Sequence, residues 1–275
     1  MNVLEITGLS KSFSGLRAVN GVGLRVAEHQ TVSIIGPNGS GKTTTLNLVT
    51  GVLRPDAGTI LINGHPLPAR HPEQVAASGI LRTFQNGRVF GNLSVNENIE
   101  IGTHLGLRAN RPFKVFAAHP LMAWLPMLAE VLLACFPTPA ARRELAEAQE
   151  RVNEQVNRFP ERLGPRQNHL AHTLSYANRR RTEIARSLVA GPELLVLDEP
   201  TAGMNQSETA EMLKQLLELK ASGQAMLLVE HKLDLVMTLS DWVYVMDGGQ
   251  VIASGPPARV RTDPAVIDAY LGRKS

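Results

Sequence analysis

Apolar positions follow strand-like and helix-like patterns in turn along the first third of the chain. Short apolar or alternating runs predict strands at residues 3–7, 22–26, 31–35 and 59–62. A polar break through Lys11 and Ser14-Gly15 separates the first two runs. Helical spacing begins at Lys42 and stops at Gly51, directly after the glycine-rich turn that follows the third strand. Strand, glycine loop and helix therefore follow one another in the order typical of phosphate-binding domains.

The middle of the chain favours helix. Residues 86–173 are rich in Ala, Leu, Glu and Arg, and another helix is predicted from Ser175 to about Ala190. We interpret residues 86–189 as a helical subdomain inserted into a core made of residues 1–85 and 190–275, with an extra insertion at about 103–141. The charged run from Arg179 to Arg181 is assigned to a solvated helix face.

Two continuous apolar runs in the last third predict buried parallel strands. They lie at residues 194–197 and 225–229, with helical spacing at 207–221 between them, which is the pattern of a β-α-β unit. Residues 243–246 and 251–253 flank an Asp-Gly-Gly turn and predict a hairpin. The chain is therefore expected to form one α/β domain over residues 1–275.

Composition narrows the class of protein. The 275 residues carry a net charge of +3 and a pI of about 9.2, which is too weak a charge to indicate a nucleic-acid binder. The single cysteine, Cys135, excludes an internal disulfide, and no secretory pattern precedes the first strand, so the reducing cytoplasm is expected. The apolar run at 121–136 is interrupted by Pro126 and Glu130 and does not predict a membrane span.

The glycine-rich loop fits the phosphate-binding pattern G-x-x-x-x-G-K-[ST] at every fixed position. Its residues are Gly36, Pro37, Asn38, Gly39, Ser40, Gly41, Lys42 and Thr43, followed by Thr44. Backbone N–H groups and the helix N-terminus would hold phosphate oxygens, Lys42 would reach the outer phosphates, and the Thr43 hydroxyl would bind Mg²⁺. A chance glycine turn would not explain the strand before it and the helix after it. ATP and Mg²⁺ are therefore the expected ligands.

An acidic pair and a histidine follow the two buried strands. Asp198 is placed to hold Mg²⁺, and Glu199 to orient or deprotonate the attacking water. An acidic helix cap is the alternative, which the presence of the phosphate loop disfavours. His231 ends the next strand and could contact the γ-phosphate, although a single histidine is more often structural.

These motifs, in this order along nearly the whole chain, resemble those of the nucleotide-binding subunit of ABC transporters. The resemblance rests on the phosphate loop, Leu81-Arg-Thr-Phe-Gln85, Leu174-Ser-Tyr-Ala-Asn178, the strand ending in Asp198-Glu199, and His231. It implies a P-loop NTPase core with a parallel central sheet, an N-terminal antiparallel β subdomain and an inserted α-helical signature subdomain.

The resemblance also implies roles for single residues. Gln85 would bind Mg²⁺, take part in catalysis and couple the site to the membrane partner. Phe13 would stack on adenine, unless it is an ordinary apolar strand residue. Ser175 would cap the γ-phosphate bound to the opposite subunit, and residues 201–204 match the loop that crosses between paired subunits.

A narrower resemblance is to the ATPases of branched-chain amino-acid importers. It is carried by residues 81–85, the extra helical segment, the Leu-Ser-Tyr signature, residues 200–205 and the ending at 263–272. It implies uptake of a branched-chain amino acid or a related small polar solute, at the cytoplasmic face of the inner membrane. The implied partners are a second ATPase subunit, two transmembrane permease subunits and, indirectly, a solute-binding protein. Urea or amide importers and the lipopolysaccharide-export ATPase are alternatives, as is a soluble relative acting in DNA repair or translation.

The signature departs from the family pattern at its last two positions. Ala177 and Asn178 stand where the importer subfamily usually has Gly-Gln. A methyl at Ala177 would restrict the backbone and crowd the approach to the partner's nucleotide. A heterodimer with an intact partner signature is therefore favoured over a homodimer, and a regulatory ATP-binding subunit with little turnover is a second hypothesis.

Overall fold

The computed structural model describes residues 1–67, 72–83, 89–105 and 138–271. The chain forms two compact units, Met1–Arg88 with Gly191–Ser275, and Val89–Ala190. Most of the predicted insertion at 103–141, including the apolar run at 121–136, lies outside the described residues. None of the helices in the described ranges has the length and apolar character needed to span a membrane.

All described strands belong to the first unit. In chain order they are β1 (Asn2–Phe13), β2 (Leu16–Ala27), β3 (Thr31–Ile35), β4 (Ala57–Ile62), β5 (His65–Pro66), β6 (Ile80–Thr83), β7 (Leu194–Asp198), β8 (Ala225–Val229), β9 (Trp242–Asp247) and β10 (Gln250–Gly255). The described α-helices of both units are α1 (Lys42–Val49), α2 (Pro72–Ala77), α3 (Val95–Ile101), α4 (Pro139–Asn157), α5 (Tyr176–Leu188), α6 (Gln206–Ala221), α7 (Leu233–Leu239), α8 (Pro257–Val260) and α9 (Pro264–Leu271).

The first unit contains two sheets. One is antiparallel, with the strand order β2-β1-β4-β5, and the other has the order β10-β9-β3-β8-β7-β6. In the second sheet, strands β9, β3, β8, β7 and β6 pair in parallel, while β10 pairs antiparallel with β9 through the predicted hairpin. Every residue of β3, β7 and β8 is buried, as their continuous apolar sequences predict. The α/β fold with a parallel central sheet is confirmed.

The predicted polar break is confirmed at Ser14-Gly15, which form the turn between β1 and β2, and is wrong at Lys11. Strand β1 continues to Phe13, and Lys11 pairs with Val19 while Phe13 pairs with Leu16. Backbone hydrogen bonds to β2 hold this end of the hairpin, so its side chains can be polar and exposed without ending the strand.

The helical unit packs α3 against both α4 and α5. Helix α3 begins with a capping box in which Ser94 and Glu97 bond each other's backbone. The predicted solvated face on α5 is wrong, because Arg180 and Arg181 are each 1% exposed. Arg180 donates to Glu183 at 2.6 Å. A run of charges that is typical of an exposed helix face is therefore buried here, because the charged side chains pair with one another.

The parallel sheet brings several loops to one edge. The carboxyl end of β3 leads into Gly36, that of β7 into Glu199, and that of β8 into Glu230 and His231. Strand β6 ends at Thr83, two residues before Gln85, which lies outside the described residues. Ligands of open α/β sheets bind beyond the carboxyl ends of the strands, so this edge is the candidate site.

Candidate nucleotide site

The phosphate loop needs glycine at two positions where the chain passes close to other backbone. A Cβ atom on Gly36 would lie 2.0 Å from the carbonyl oxygen of Met246, and one on Gly41 would lie 2.3 Å from that of Ala18. Gly41 also has φ +98 and stands directly before α1. These close approaches hold the loop between β9 and the β2 strand, so its backbone shape is set by packing as well as by its own sequence.

Lys42 is buried at the start of α1, with 5% of its surface exposed. Its Nζ atom donates to the carbonyl oxygens of Gly36 and Pro37, both at 2.9 Å. Burial lowers the pKa of Lys42 below its ordinary value of 10.5, while the carboxylates of Glu199 and Asp198 act in the opposite direction. The structure therefore brings this cation and both sequence-predicted acids into one electrostatic environment.

Asp198 ends β7 and is 1% exposed. Its Oδ2 atom accepts a hydrogen bond from Arg82 Nη2 at 2.7 Å. The other arm of Arg82 donates to Asn47 Oδ1 at 2.6 Å and to Thr50 Oγ1 at 3.2 Å, both at the end of the α1 region. Arg82 thus joins the predicted metal-binding acid to the helix that follows the phosphate loop. Sequence reasoning missed this residue, although a charged side chain inside a buried strand was an available signal.

Glu199 and His231 form a direct pair. The Nε2 atom of His231 lies 2.9 Å from Glu199 Oε1. Glu199 has φ +48, a left-handed conformation that costs an L-residue of the order of 1–3 kcal/mol. Its amide donates to the carbonyl of Val229 at 2.9 Å, which ties the strained residue to the end of β8. Backbone strain at a residue whose side chain pairs with a histidine is typical of functional sites.

Phe13 lies at the end of β1 with 42% of its surface exposed. The Nζ atom of Lys11 is 5.7 Å from the centre of its ring and 2.7 Å from Asp56 Oδ1. The hydrogen bond from Lys11 and another from the Ser12 amide hold the pKa of Asp56 below its ordinary value. These contacts fix the segment that precedes Phe13. The exposed ring of Phe13 is a surface suited to stacking.

Ser175 is the N-cap of α5 in the helical unit, where its hydroxyl accepts from the amide of Asn178 at 3.4 Å. Ala177 is 1% exposed and Asn178 is 6% exposed. The side chain of Asn178 is held by Arg181 Nη1 at 3.1 Å. Ala177 is therefore buried in the single chain, and the crowding of a partner's nucleotide that the sequence predicts stays a prediction.

Tyr270 on α9 is a second residue that sequence reasoning did not single out. Burial raises the pKa of its hydroxyl, and a hydrogen bond from the backbone of Gly36 opposes that change. Helix α9 also contributes Val266 to a buried cluster with Ile35, the residue just before Gly36. An aromatic residue in the C-terminal segment therefore contacts the first glycine of the phosphate loop.

The donor set of the site fits Mg²⁺. The Thr43 side chain is exposed at the start of α1, and Asp198 supplies a carboxylate next to Lys42. Hydroxyl and carboxylate oxygens are hard ligands, and Mg²⁺ usually keeps several waters, so few protein ligands are needed. The described residues contain no group of three or more His, Cys, Asp or Glu side chains that could hold a metal ion.

Comparison with known proteins decides the family. Residues 19–202 match the family described as ABC transporter, and residues 250–274 match the family described as branched-chain amino acid ATP-binding cassette transporter. The chain belongs to the ABC transporter ATPase family. The relatives include the high-affinity branched-chain amino acid transport ATP-binding protein BraF of Pseudomonas aeruginosa, 39% identical over 274 residues, with 98% of each chain covered. LivG of Escherichia coli, named for the same transport, is 38% identical over 271 residues and again covers 98% of each chain.

Solved structures of ABC cassettes have the same fold as this ABC ATPase. A nucleotide-free ATP-binding cassette from an ABC transporter matches with a TM-score of 0.78 and 29% identity, covering 99% of this chain and 100% of the other. A cassette in its ADP conformation matches with a TM-score of 0.75 and 30% identity, with the same coverage. The P-loop NTPase fold and the binding of nucleotide are confirmed, and the ABC ATPase is an ATP-hydrolysing subunit.

Proposed function

We propose that this ABC ATPase hydrolyses ATP to energise import of a branched-chain amino acid or a closely related small polar solute. The observation that carries the proposal is the edge of the parallel sheet, where Lys42, Asp198 and the Glu199–His231 pair lie around the phosphate loop. The solute class is supported by the two relatives and by the match of residues 250–274. Urea or amide import remains the alternative within the family.

Phosphate binding is assigned to residues 36–44. In this proposal the loop amides and the α1 N-terminus hold phosphate oxygens, and Lys42 exchanges its carbonyl contacts for the outer phosphates. Thr43, Asp198 and Gln85 would hold Mg²⁺, which neutralises negative charge on the phosphates. Phe13 offers its exposed face to adenine.

Hydrolysis is assigned to Glu199 and His231. Glu199 orients the attacking water and accepts its proton. Its carboxylate is near Lys42, the residue assigned to the outer phosphates, and is held in one orientation by the His231 ring at 2.9 Å. The intact pair favours a subunit that turns over ATP, rather than the regulatory subunit considered from the altered signature.

The proposed assembly pairs this subunit with a second ABC ATPase on two transmembrane permease subunits, at the cytoplasmic face of the membrane. An external solute-binding protein would deliver the solute. Ser175 would meet the nucleotide held by the opposite phosphate loop. The burial of Ala177 in the single chain weakens the steric argument for a heterodimer, so the proposal admits a second copy of this chain as well as a different ATPase.

Uptake into vesicles tests the proposal. The transporter is reconstituted with its permease subunits and binding protein, and ATP-driven accumulation of labelled leucine and of labelled urea is compared. We expect leucine uptake that falls by about 10²–10⁴-fold in Glu199→Gln, because the general base is lost.

A matched control is Glu218→Gln, which makes the same change on the exposed side of α6 and should keep full uptake. Accumulation of urea without leucine would establish the amide-importer alternative. Normal uptake in Glu199→Gln would exclude the assigned mechanism.

A further inference from the structure

A buried carboxylate joins two loops at the edge of the parallel sheet. Glu230 follows β8 and is 3% exposed. Its Oε1 atom accepts from the amide of Thr201 at 3.1 Å and also from the Thr201 hydroxyl. Its Oε2 atom accepts from the amides of His231 at 2.8 Å and Lys232 at 3.3 Å. Each oxygen therefore serves one loop, and the four donors compensate for removal of the charge from water.

Lys232 strengthens the same junction. Its Nζ atom donates to the carbonyl of Thr201 at 3.2 Å and to Thr209 Oγ1 at 2.6 Å. The amide, hydroxyl and carbonyl of Thr201 are thus all bound by Glu230 and Lys232 of the other loop. A displacement of residue 201 is therefore transmitted to the start of the His231 loop.

These contacts close a ring around the reacting pair. The chain runs from Glu199 to Thr201, hydrogen bonds lead from Thr201 to Glu230, the chain continues to His231, and the His231 ring returns to Glu199 at 2.9 Å. A carboxylate is a rigid planar group with two acceptor oxygens, so it sets the separation between the two loops.

We propose that Glu230 is a positioning residue for ATP hydrolysis, whose carboxylate sets the distance between Glu199 and His231 and couples both to the loop that starts at Thr201. The inference rests on the proposed roles of Glu199 and His231. It adds a path by which a partner subunit that contacts residues 201–204 would change the alignment of the pair.

The test is a double-mutant cycle on the full chain assembled with its transporter partners. Glu230→Gln keeps the size of the side chain, but its amide NH₂ faces N–H donors of one loop whichever way it is oriented. We expect kcat to fall by about 10- to 100-fold, because a small misplacement of reacting groups has effects of this size, while KM for ATP changes by less than about three-fold.

In the His231→Ala background the same substitution should lower kcat by less than about three-fold, because Glu230 then has no pair left to align. Equal losses in both backgrounds, or an unchanged kcat in the single variant, would overturn the proposal. All rates are measured well below the melting temperature of each variant, so that a purely structural role leaves kcat unaltered.

If Glu230→Gln does not fold, the Thr201→Val variant tests the proposal instead. This substitution removes the hydroxyl that donates to Glu230 and retains the backbone amide of residue 201. Its matched control is Thr103→Val, at a 2% exposed threonine of the helical unit whose hydroxyl donates to the Glu100 carbonyl at 2.7 Å. We expect a lower kcat for Thr201→Val alone, and equal rates for the two variants would refute the role of Glu230.

The Glu199→Gln variant, assayed in parallel, distinguishes a failure of the proposed function from a failure of the positioning role. Turnover in that variant would contradict the proposed function itself. Loss of turnover there, together with a normal Glu230→Gln enzyme, would contradict only the positioning role.

Discussion

At the residue scale, the pKa of Lys42 is shifted in opposite directions by two effects. Burial lowers its pKa, and Glu199 and Asp198 partly offset this. The folded state then binds the proton less tightly than the unfolded chain, for which the ordinary pKa is 10.5. At pH values below the pKa of the folded state, the charged group therefore reduces the free energy of unfolding. This loss is recovered as the pH rises from that pKa toward 10.5.

Replacing Lys42 should separate stability from activity. In Lys42→Met we expect ATP hydrolysis to fall by about 10²–10³-fold, because a preorganised charge for the phosphates is lost. Without nucleotide, the free energy of unfolding of the original chain should rise relative to that of the variant as the pH increases from neutrality toward 10.5. Urea unfolding at several pH values measures this difference, and parallel pH curves for the two proteins would contradict the assignment.

At the element scale, the N-terminus of α5 carries the altered signature. Its cap at Ser175 is formed as in an ordinary helix, and the residues at 177 and 178 are buried. Asn178 is fixed by Arg181, so the departure from the family pattern is absorbed by internal packing. The signature surface is therefore left to Ser175, Tyr176 and the backbone around them.

Restoring the family glycine at this position should not raise activity. We expect Ala177→Gly to leave kcat within about two-fold and to lower the free energy of unfolding by about 0.5–1 kcal/mol, because glycine is a poorer helix former than alanine. ATPase assays and denaturant titrations measure the two effects. A several-fold gain in kcat would show that the methyl does obstruct the partner's nucleotide.

At the scale of the whole molecule, the proposed site uses a signature from another subunit and therefore requires an assembly. We expect Glu199→Gln to form a dimer with ATP, at about twice the 29.8 kDa of the chain, because ATP binding is retained while hydrolysis is slowed. Light scattering after gel filtration measures the mass. The double variant Lys42→Met with Glu199→Gln should remain monomeric.

The same measurement decides the partner. A dimer of the variant alone would establish self-pairing, and a dimer formed only after addition of a second ATPase subunit would establish the heterodimer. A monomer under both conditions would contradict the proposed assembly.

Local patterns in the sequence were sufficient for the phosphate loop and for the elements around it. The strand at Thr31–Ile35, the helix at Lys42–Val49 and the hairpin around Gly248 appear where they were predicted. Apolar periodicity and glycine turns depend on neighbouring residues, so they can be read without knowing the fold. The acids after β7 and the histidine after β8 could be proposed for the same reason, because each ends a recognisable strand.

The tertiary structure alone decided which of these groups meet and what holds them. Arg82 and Asp198 are 116 residues apart, and Thr201 and Glu230 are 29 apart, yet both pairs are in contact. Burial of Arg180, Arg181 and Ala177 likewise depends on helices that pack around them. Such contacts come from strand order and packing, which no local pattern encodes. The sequence therefore determined the reacting groups, and the fold determined their partners.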